Sequence, residues 1–436
     1  MKRVALVPAL LVVASFSFVS CGGGGKSGPP SGLTTRVFAS QSISSPTAFP
    51  GILIINGQYD IVARAREISA GSSPGLMAIS PNRSSLLVFD SATNSVQVVN
   101  TTTESSNGSI SVPGSTTSMV NLASGDGYVA VPSAPMNTGV PPGAIVVLNL
   151  NSGGIAATVP IPSAQTVVSN PDGTELLVFS NDSDSVTIVS PLLVNTDNQV
   201  TTTVAGFDRP VYAVFSTDGS TAYVLNCGAQ CGGTQASVQL LNMTTPPTLG
   251  SVIPVNGATI GFLAGSTLYV AGLGTPTGPP CNSIPSAAPT AATYCGTLDL
   301  VNLTTMQDPY YNNPAAEIAI TDGYHDRIDM SVNGQLFVGS KTCTNVGDVY
   351  VPQGEVRGCL SIYNTSNGTV VIPPDNGDVT GLQSFTTRYV EYVAEGGNLR
   401  VYDTLIDALI PPNDYIETGT IITPGQIIDL KAVDFF

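Results

Sequence analysis

The fold is decided by the stretch Tyr223-Val224-Leu225-Asn226, which follows the turn Ser216-Thr217-Asp218-Gly219 and precedes a second run, Ser237-Val238-Gln239-Leu240-Leu241-Asn242. Apolar and polar side chains alternate along these runs, as they do in a half-buried β-strand. Asp and Gly suit a tight turn, because Asp hydrogen-bonds to its own backbone and Gly adopts positive φ at no steric cost. The stretch therefore predicts short antiparallel strands joined by tight turns.

The same pattern of turn and strand recurs along most of the chain. Equivalent turn positions fall at residues 83, 125, 173, 219, 265, 334 and 388, so successive turns are 42, 48, 46, 46, 69 and 54 residues apart. The two longest intervals contain loop insertions. Four short strands per unit at this period are typical of a β-propeller, whose blades need neighbours to cover their apolar faces. A β-sandwich would not repeat its turn chemistry at a fixed interval.

Tyr223–Asn226 also resembles the tetrapeptide that gives the YVTN propeller repeats their name. The resemblance extends over roughly residues 72–410, through strand pairs such as Leu336–Gly339 with Leu360–Asn364. It implies an all-β propeller of four-stranded blades. It implies little about function, because propellers perform many different tasks.

The two ends of the chain complement each other. Residues 35–71 contain three strand candidates without a first strand, and Ile427–Val433 forms a first strand without the rest of its blade. A blade built from both ends would close the ring and remove exposed sheet edges. The sequence therefore predicts a single propeller domain over residues 35–436 with eight blades. Seven blades is the alternative, if residues 378–412 pack differently.

The N-terminus carries an export signal. Lys2 and Arg3 precede an apolar run from Val4 to Phe18, which is typical of a secretory signal peptide and short for a transmembrane helix. Phe18-Val19-Ser20-Cys21, followed by four glycines, resembles the lipobox of bacterial lipoproteins. The resemblance implies a signal peptide over residues 1–20, a lipid on Cys21 and a Gly/Ser/Pro tether over residues 21–34. An ordinary cleaved signal beside a free cysteine is the alternative.

The same resemblance implies a location in the bacterial cell envelope. Gly22, rather than Asp, follows Cys21, which by analogy with lipoprotein sorting favours the outer membrane, on its periplasmic or its surface side.

The composition excludes other classes of protein. Charged residues make up 10% and apolar residues 42% of the chain, which excludes intrinsic disorder. The 14 basic and 30 acidic residues give a net charge of −16, which argues against a nucleic-acid partner.

The remaining six cysteines form an even set, as expected in an oxidising compartment. Pairing by proximity predicts three disulfides, each within one repeat: Cys227 with Cys231, Cys281 with Cys295, and Cys343 with Cys359. A zinc site is the rival interpretation, but the sequence has no CxxC pair and a single His.

Long insertions between second and third strands would build one face of the propeller. They occupy residues 40–50, 132–142, 226–236, 272–296 and 340–358, and the last three contain the predicted disulfides. Rigid loops gathered on one face favour a recognition surface. Tyr294, Tyr350, Pro279 and Pro280 are its candidate binding residues, because rigid groups lose little entropy on binding. Drift in the length of neutral loops is the alternative.

Charged residues converge where two blade-to-blade connections reach the same face. Asp208-Arg209 and His325-Asp326-Arg327 lie near the expected channel mouth, and an imidazole beside a carboxylate could serve acid–base chemistry. Pairing of Arg with Asp between blades is the structural alternative. Asn181-Asp182-Ser183-Asp184 has alternating oxygen groups that could bind Ca²⁺, but it lacks the distal Glu of an EF-hand loop and suits a hairpin turn.

Together these features favour a non-enzymatic, lipid-anchored binding scaffold whose partner is a protein or a glycan of the envelope. The lipid on Cys21 is the one predicted membrane contact, and we expect a monomer without cofactor or bound metal. The fold is also similar to that of propeller lactonases, so a hydrolase with its site at the channel mouth is an alternative. A structural envelope protein is another.

Overall fold

The computed structural model describes residues 28–42, 49–193, 200–274, 296–313, 316–343, 346–347, 356–373, 377–412, 416 and 418–434. The predicted signal peptide, Cys21 and the first part of the tether lie outside these ranges. Nearly all regular structure in these ranges is β-strand, and they also contain two short 3₁₀ turns, at Pro191–Leu193 and Gly228–Cys231. Within the described ranges, no helix is long and apolar enough to cross a membrane.

The strands form eight antiparallel four-stranded sheets, here called blades 1 to 8. Blades 1 to 4 contain, from the first to the fourth strand of each: β35 (Gln426–Ala432), β1 (Arg36–Ser42), β2 (Gly51–Asn56) and β3 (Ile61–Ile68); β4 (Pro74–Ile79), β5 (Ser85–Asp90), β6 (Ser95–Asn100) and β7 (Ser105–Ser111); β8 (Ser118–Asn121), β9 (Asp126–Val131), β10 (Ala144–Asn149) and β11 (Gly154–Pro160); β12 (Ala164–Ser169), β13 (Leu176–Ser180), β14 (Ser185–Val189) and β15 (Thr201–Ala205).

Blades 5 to 8 follow the same order. They contain β16 (Pro210–Phe215), β17 (Thr221–Asn226), β18 (Ser237–Asn242) and β19 (Thr248–Pro254); β20 (Ile260–Ala264), β21 (Thr267–Leu273), β22 (Gly296–Asn302) and β23 (Ile318–Ile320); β24 (Tyr324–Met330), β25 (Gln335–Lys341), β28 (Leu360–Asn364) and β29 (Val370–Val371); β30 (Val379–Ser384), β31 (Val390–Glu395), β32 (Asn398–Asp403) and β33 (Ala408–Leu409). A short strand, β34 (Thr420–Ile421), pairs with β32, and β26 (Val346–Gly347) pairs with β27 (Val356–Arg357) within the blade 7 insertion.

The first strands of the blades contact one another in a closed cycle, from β35 through β4, β8, β12, β16, β20, β24 and β30 back to β35. The molecule is therefore an eight-bladed β-propeller, and the predicted fold class and blade number are confirmed. Apolar side chains fill the spaces between blades. Phe179 of blade 4, for example, packs in one buried cluster with Ala213 and Val224 of blade 5.

The repeated turn predicted from the sequence has the same backbone bond in five blades. The amide of Arg83, Gly125, Gly173, Gly219 or Gly334 donates to the carbonyl three residues earlier, over 2.8–3.3 Å. Each of these five residues has positive φ. Gly is therefore favoured at this position, and Arg83 is the exception. The turn chemistry, rather than the exact repeat length, is the recurrent feature.

The ring is closed as predicted, by one blade that both ends of the chain build. β35 pairs with β1 from Val37 and Ala432 to Ser42 and Gln426. An ion-pair cluster, here called the latch, reinforces the closure: the Arg36 guanidinium lies 2.7 Å from Asp434 Oδ1 and 2.9 Å from Glu104 Oε1. Arg36 also donates to the carbonyl of Thr101. The latch therefore joins both ends of the chain to the last turn of blade 2.

The two faces of the ring differ in their loops. Connections from second to third strands and from blade to blade share one face, here called the insertion face, because successive antiparallel turns alternate between the two ends of a sheet. Turns from first to second and from third to fourth strands share the opposite face. All five predicted insertions lie between second and third strands, as expected. The insertion face is therefore irregular, and the opposite face consists mainly of short turns.

Candidate binding channel

A channel runs between the first strands of the propeller. Its cavity has a volume of about 1220 Å³ and is lined by residues of all eight blades, from Gly75 in blade 2 round to Ile428 in blade 1. Near the insertion face the lining is mostly hydroxyl and amide groups, such as Thr117, Gln165 and Ser183. These groups can exchange hydrogen bonds with a polar ligand without presenting a strong net charge.

A cluster of three charged side chains on blade 7 lies at the channel mouth. Lys341 Nζ is 2.6 Å from Asp326 Oδ2, and Arg327 Nη1 is 3.3 Å from the same oxygen. Arg327 also donates to the carbonyl of Thr380 in blade 8, over 2.7 Å. Asp326 Oδ1 is buried and has no hydrogen-bond partner among the described residues. The cluster therefore offers a fixed cation pair and one free carboxylate oxygen.

A β-bulge places these side chains at the mouth. In the pairing of β24 with β25, His325 is opposite Ser340 and Arg327 is opposite Gly339, so Asp326 is the extra residue. We expected these residues in a blade-to-blade loop, and they instead begin the first strand of blade 7. Neighbours on a regular strand point to opposite faces, but the bulge allows both Asp326 and Arg327 to line the channel.

His325 points away from the channel and is fully buried between blades 6 and 7. Its Nε2 lies 2.8 Å from the carbonyl oxygen of Thr321, so the neutral ring carries its proton on Nε2 and donates there. Its Nδ1 has no hydrogen-bond partner among the described residues. Burial lowers the pKa of His325 to about 4, against smaller opposing effects of the Thr321 bond and the Asp326 charge. The ring therefore stays neutral at physiological pH and does not reach the channel.

Asp208 clamps the disulfide-bearing insertion of blade 5 and does not line the channel. Its carboxylate accepts hydrogen bonds from the amides of Thr234 and Gln235 and from the Thr234 hydroxyl. Burial raises its pKa, but these hydrogen bonds outweigh it and the net pKa is lowered. Gly233 is packed against this carboxylate, because a Cβ there would lie 2.0 Å from Asp208 Oδ1.

Arg209, next in sequence, does line the channel. Its Nε lies 3.8 Å from Oδ1 of the exposed Asp184, which belongs to the turn considered for Ca²⁺. The amide of Arg209 also donates a hydrogen bond to Asp184 Oδ1. Asp182, in the same turn as Asp184, has positive φ. Among the described residues, no three His, Cys, Asp or Glu side chains gather in a way that could hold a metal ion.

Two disulfides fix insertions around the mouth. The predicted pairs Cys227–Cys231 and Cys343–Cys359 are confirmed. Cys231 itself lines the channel, and the second bond closes the blade 7 insertion at its base. The third predicted pair, Cys281–Cys295, lies outside the described residues, as do the candidate contact residues Tyr294, Tyr350, Pro279 and Pro280.

Sequence reasoning missed one feature of the site, Lys341, and one buried acidic group outside it, Glu391. Lys341 ends β25 opposite Tyr324, and only the pairing of β24 with β25 brings it to Asp326. Glu391 of blade 8 is fully buried. Burial first, and then the charge of Asp329 in blade 7, raise the pKa of Glu391 well above its ordinary value. The protonated form is thereby favoured, and neither carboxyl oxygen of Glu391 has a hydrogen-bond partner among the described residues. The available signal was a strand in which Glu391 and Glu395 lie among apolar residues.

No protein-family model matches the sequence, and no curated protein is similar to it in sequence. Solved structures do share its fold. Dihydro-heme d1 dehydrogenase NirN in complex with DHE aligns with 92% of this chain and 75% of its own, at 12% identity and a TM-score of 0.59. The β-propeller domain of Cps50 (Swd1) from Myceliophteria thermophila aligns with 76% of this chain and 95% of its own, at 11% identity and a TM-score of 0.50.

Hydrazine synthase from Kuenenia stuttgartiensis aligns with 76% of this chain and 77% of its own, at 16% identity and a TM-score of 0.46. NirN is an enzyme by name, and the Cps50 match is a propeller domain. At identities of 12% and 11% these two likenesses concern the fold alone, and a propeller fold by itself assigns no activity.

Proposed function

We propose that this chain is a lipid-anchored binding scaffold of the bacterial cell envelope, which holds a protein or a glycan at the insertion face and the channel mouth. The proposed location rests on the resemblance of Phe18–Cys21 to a lipobox. Two disulfides in the described part of the chain support it, because such bonds persist in oxidising compartments. The YVTN-type assignment rests on the strand and turn pattern around Tyr223–Asn226.

The observation that carries the proposal is the channel mouth. A cavity of about 1220 Å³ opens among stapled insertions and is rimmed mainly by uncharged polar groups. Pre-formed concave sites with a few fixed polar groups are typical of ligand binding. The ring of His325, the one histidine of the chain, is buried in the wall of the channel. The cations at the mouth, Arg327 and Lys341, already pair with Asp326. This arrangement favours recognition over acid–base turnover.

Cross-linking capture from native envelope tests the proposal. We would compare the intact chain with a mouth variant, Tyr324→Ala/Lys341→Ala, and with a control variant on the opposite face, Asp172→Asn. The same three proteins would be applied to an array of envelope glycans. We expect a partner that the intact chain and the control retain and the mouth variant loses. Equal retention by all three proteins would place the site elsewhere, and retention by none in both assays would contradict the scaffold.

A hydrolase is the second candidate, because Asp326 Oδ1 is a buried carboxylate oxygen without a partner in the described residues, at the edge of a large cavity. Such an oxygen could accept a proton from an attacking water. Turnover of a panel of lactones and esters tests this activity. Activity that Asp326→Asn abolishes, while His325→Gln retains it, would favour the enzyme. Activity equal in Asp326→Asn and the intact chain would remove Asp326 from that role.

A further inference from the structure

The N-terminal segment leaves the propeller on the opposite face. The described chain begins at Gly28, and Ser31 donates from its amide and its hydroxyl to the carboxylate of Glu104, over 2.7 and 2.6 Å. Glu104 lies in the turn from third to fourth strand of blade 2, which belongs to the opposite face. The last part of the predicted tether is therefore bound to that face.

The tether can span only a short distance. Seven peptide steps separate Cys21 from Gly28, and a fully extended chain covers about 3.6 Å per residue, so the span is at most about 25 Å. A lipid on Cys21, as in the proposed function on which this inference rests, would hold the bilayer within that distance of Gly28. The opposite face would then be the one next to the membrane.

That same face carries a cluster of exposed apolar side chains, here called the apolar patch: Val332, Tyr389, Leu405 and Ile406. Their exposed fractions are 50%, 54%, 61% and 61%. They belong to three turns that are bonded to one another. Asn333 donates to the carbonyl of Thr404 over 2.8 Å, and the amide of Thr404 donates to the carbonyl of Tyr389 over 3.0 Å.

Direct contacts connect the apolar patch to the start of the propeller. The amide of Gly57 donates to the carbonyl of Thr35 over 2.8 Å. Arg388, next to Tyr389, donates to the carbonyl of Gly57 and to both carboxylate oxygens of Asp60. One turn of blade 1 thus separates the patch from the first residues of β1. Clustered apolar side chains on a soluble protein mark an interaction site.

We propose that the apolar patch docks on the lipid bilayer, so that the channel mouth and the insertions face away from the membrane. Tyr suits the membrane interface because its ring is apolar and its hydroxyl is polar. The nearby Asp60 is neutralised by Arg388, which removes a charge that would oppose the contact. With a net charge of −16, apolar insertion rather than attraction to anionic headgroups would provide the contact.

The absence of Trp from the sequence permits a direct test. We would introduce a single Trp as Leu405→Trp, or as Val140→Trp on the insertion face, where Val140 is 44% exposed. The full-length lipidated proteins would be reconstituted on phosphatidylcholine vesicles with and without brominated acyl chains. We expect a blue shift and bromine quenching for Leu405→Trp and neither for Val140→Trp. Adding Ile406→Asp to Leu405→Trp should reduce the quenching without changing the melting temperature, since both side chains are exposed.

Two readings separate failure of this inference from failure of the proposed function. Mass spectrometry of the N-terminal peptide reports the lipid on Cys21, and its absence would overturn the anchoring and the inference together. A lipidated protein whose Leu405→Trp emission is the same in both vesicles would overturn the docking alone. Quenching of Val140→Trp but not of Leu405→Trp would show that the insertion face lies on the bilayer, and would overturn the inferred orientation. A dimer of the Cys21→Ser chain that Ile406→Asp dissociates would assign the patch to a second copy and overturn bilayer docking.

Discussion

The two faces of this propeller are held by different means. On the opposite face, short turns repeat one backbone bond, and the latch joins both ends of the chain to blade 2. On the insertion face, disulfides and the Asp208 clamp hold long loops of unrelated sequence. The ring therefore depends on the regular face for the latch that reinforces its closure, whereas the long loops of blades 5 and 7 on the insertion face are each held to their own blade by a disulfide.

The largest effect should come from the latch. Arg36→Ala leaves the fully buried side chain of Glu104 and the half-buried Asp434 without their cation, and loss of one partner of a buried ion pair costs about 3–5 kcal/mol. The matched change on the insertion face, Arg209→Ala, removes a 3.8 Å pair with an exposed Asp184 and should cost at most about 1 kcal/mol. Urea unfolding of both variants measures this contrast, and equal losses would contradict it.

The next largest effect should be a loss of stability at low pH, caused by His325 near the insertion face. His325 has a pKa of about 4 in the folded protein and about 6.5 when unfolded, so the unfolded state binds the proton more readily. Its contribution to stability is full above pH 6.5 and is lost as pH falls towards 4, by about 3 kcal/mol. His325→Gln retains a donor for Thr321 and should lack this loss. Unfolding of both proteins between pH 7 and 4 measures the difference, and parallel curves would refute the assignment.

Removing either disulfide should lower the free energy of unfolding, and the disulfide that closes the longer loop should give the larger loss. Cys343 and Cys359 are 16 residues apart and Cys227 and Cys231 are 4 apart, so chain entropy predicts losses of about 3 and about 2 kcal/mol for the respective double Ser variants. Hydrogen exchange should localise both losses to the insertion face. Faster exchange at the turns of the opposite face in either variant would show that the faces are not independent.

The smallest effect concerns a single repeated turn. Asp218 accepts hydrogen bonds from the Ser216 hydroxyl and from the amide and hydroxyl of Ser220, which lower its pKa to about 2. Asp218→Asn keeps an acceptor in an exposed turn, so we expect a smaller shift in melting temperature than in any variant above. A carbon-detected NMR titration of Asp218 measures the pKa, and an ordinary Asp value would contradict the bonded turn.

The blade count, the ring closure and two disulfides could be predicted from the sequence, because each depends on contacts close in the chain or on a pattern that repeats. The turn at Ser216–Gly219 and the alternation in Tyr223–Asn226 are local signals. Cys227 and Cys231 lie in one loop. The closing blade could also be predicted from the sequence, since each end of the chain lacked the strands that the other end supplied.

Other features were decided by the tertiary structure. His325 and Asp326 are adjacent in sequence, yet the bulge in β24 turns one into the wall and the other towards the channel. The latch joins Arg36 to Asp434, 398 residues away. Local sequence determined which segments form strands and turns, because those depend on a few neighbouring residues. Which side chains meet across the ring depended on strand register and blade packing, and these are set only when the whole propeller closes.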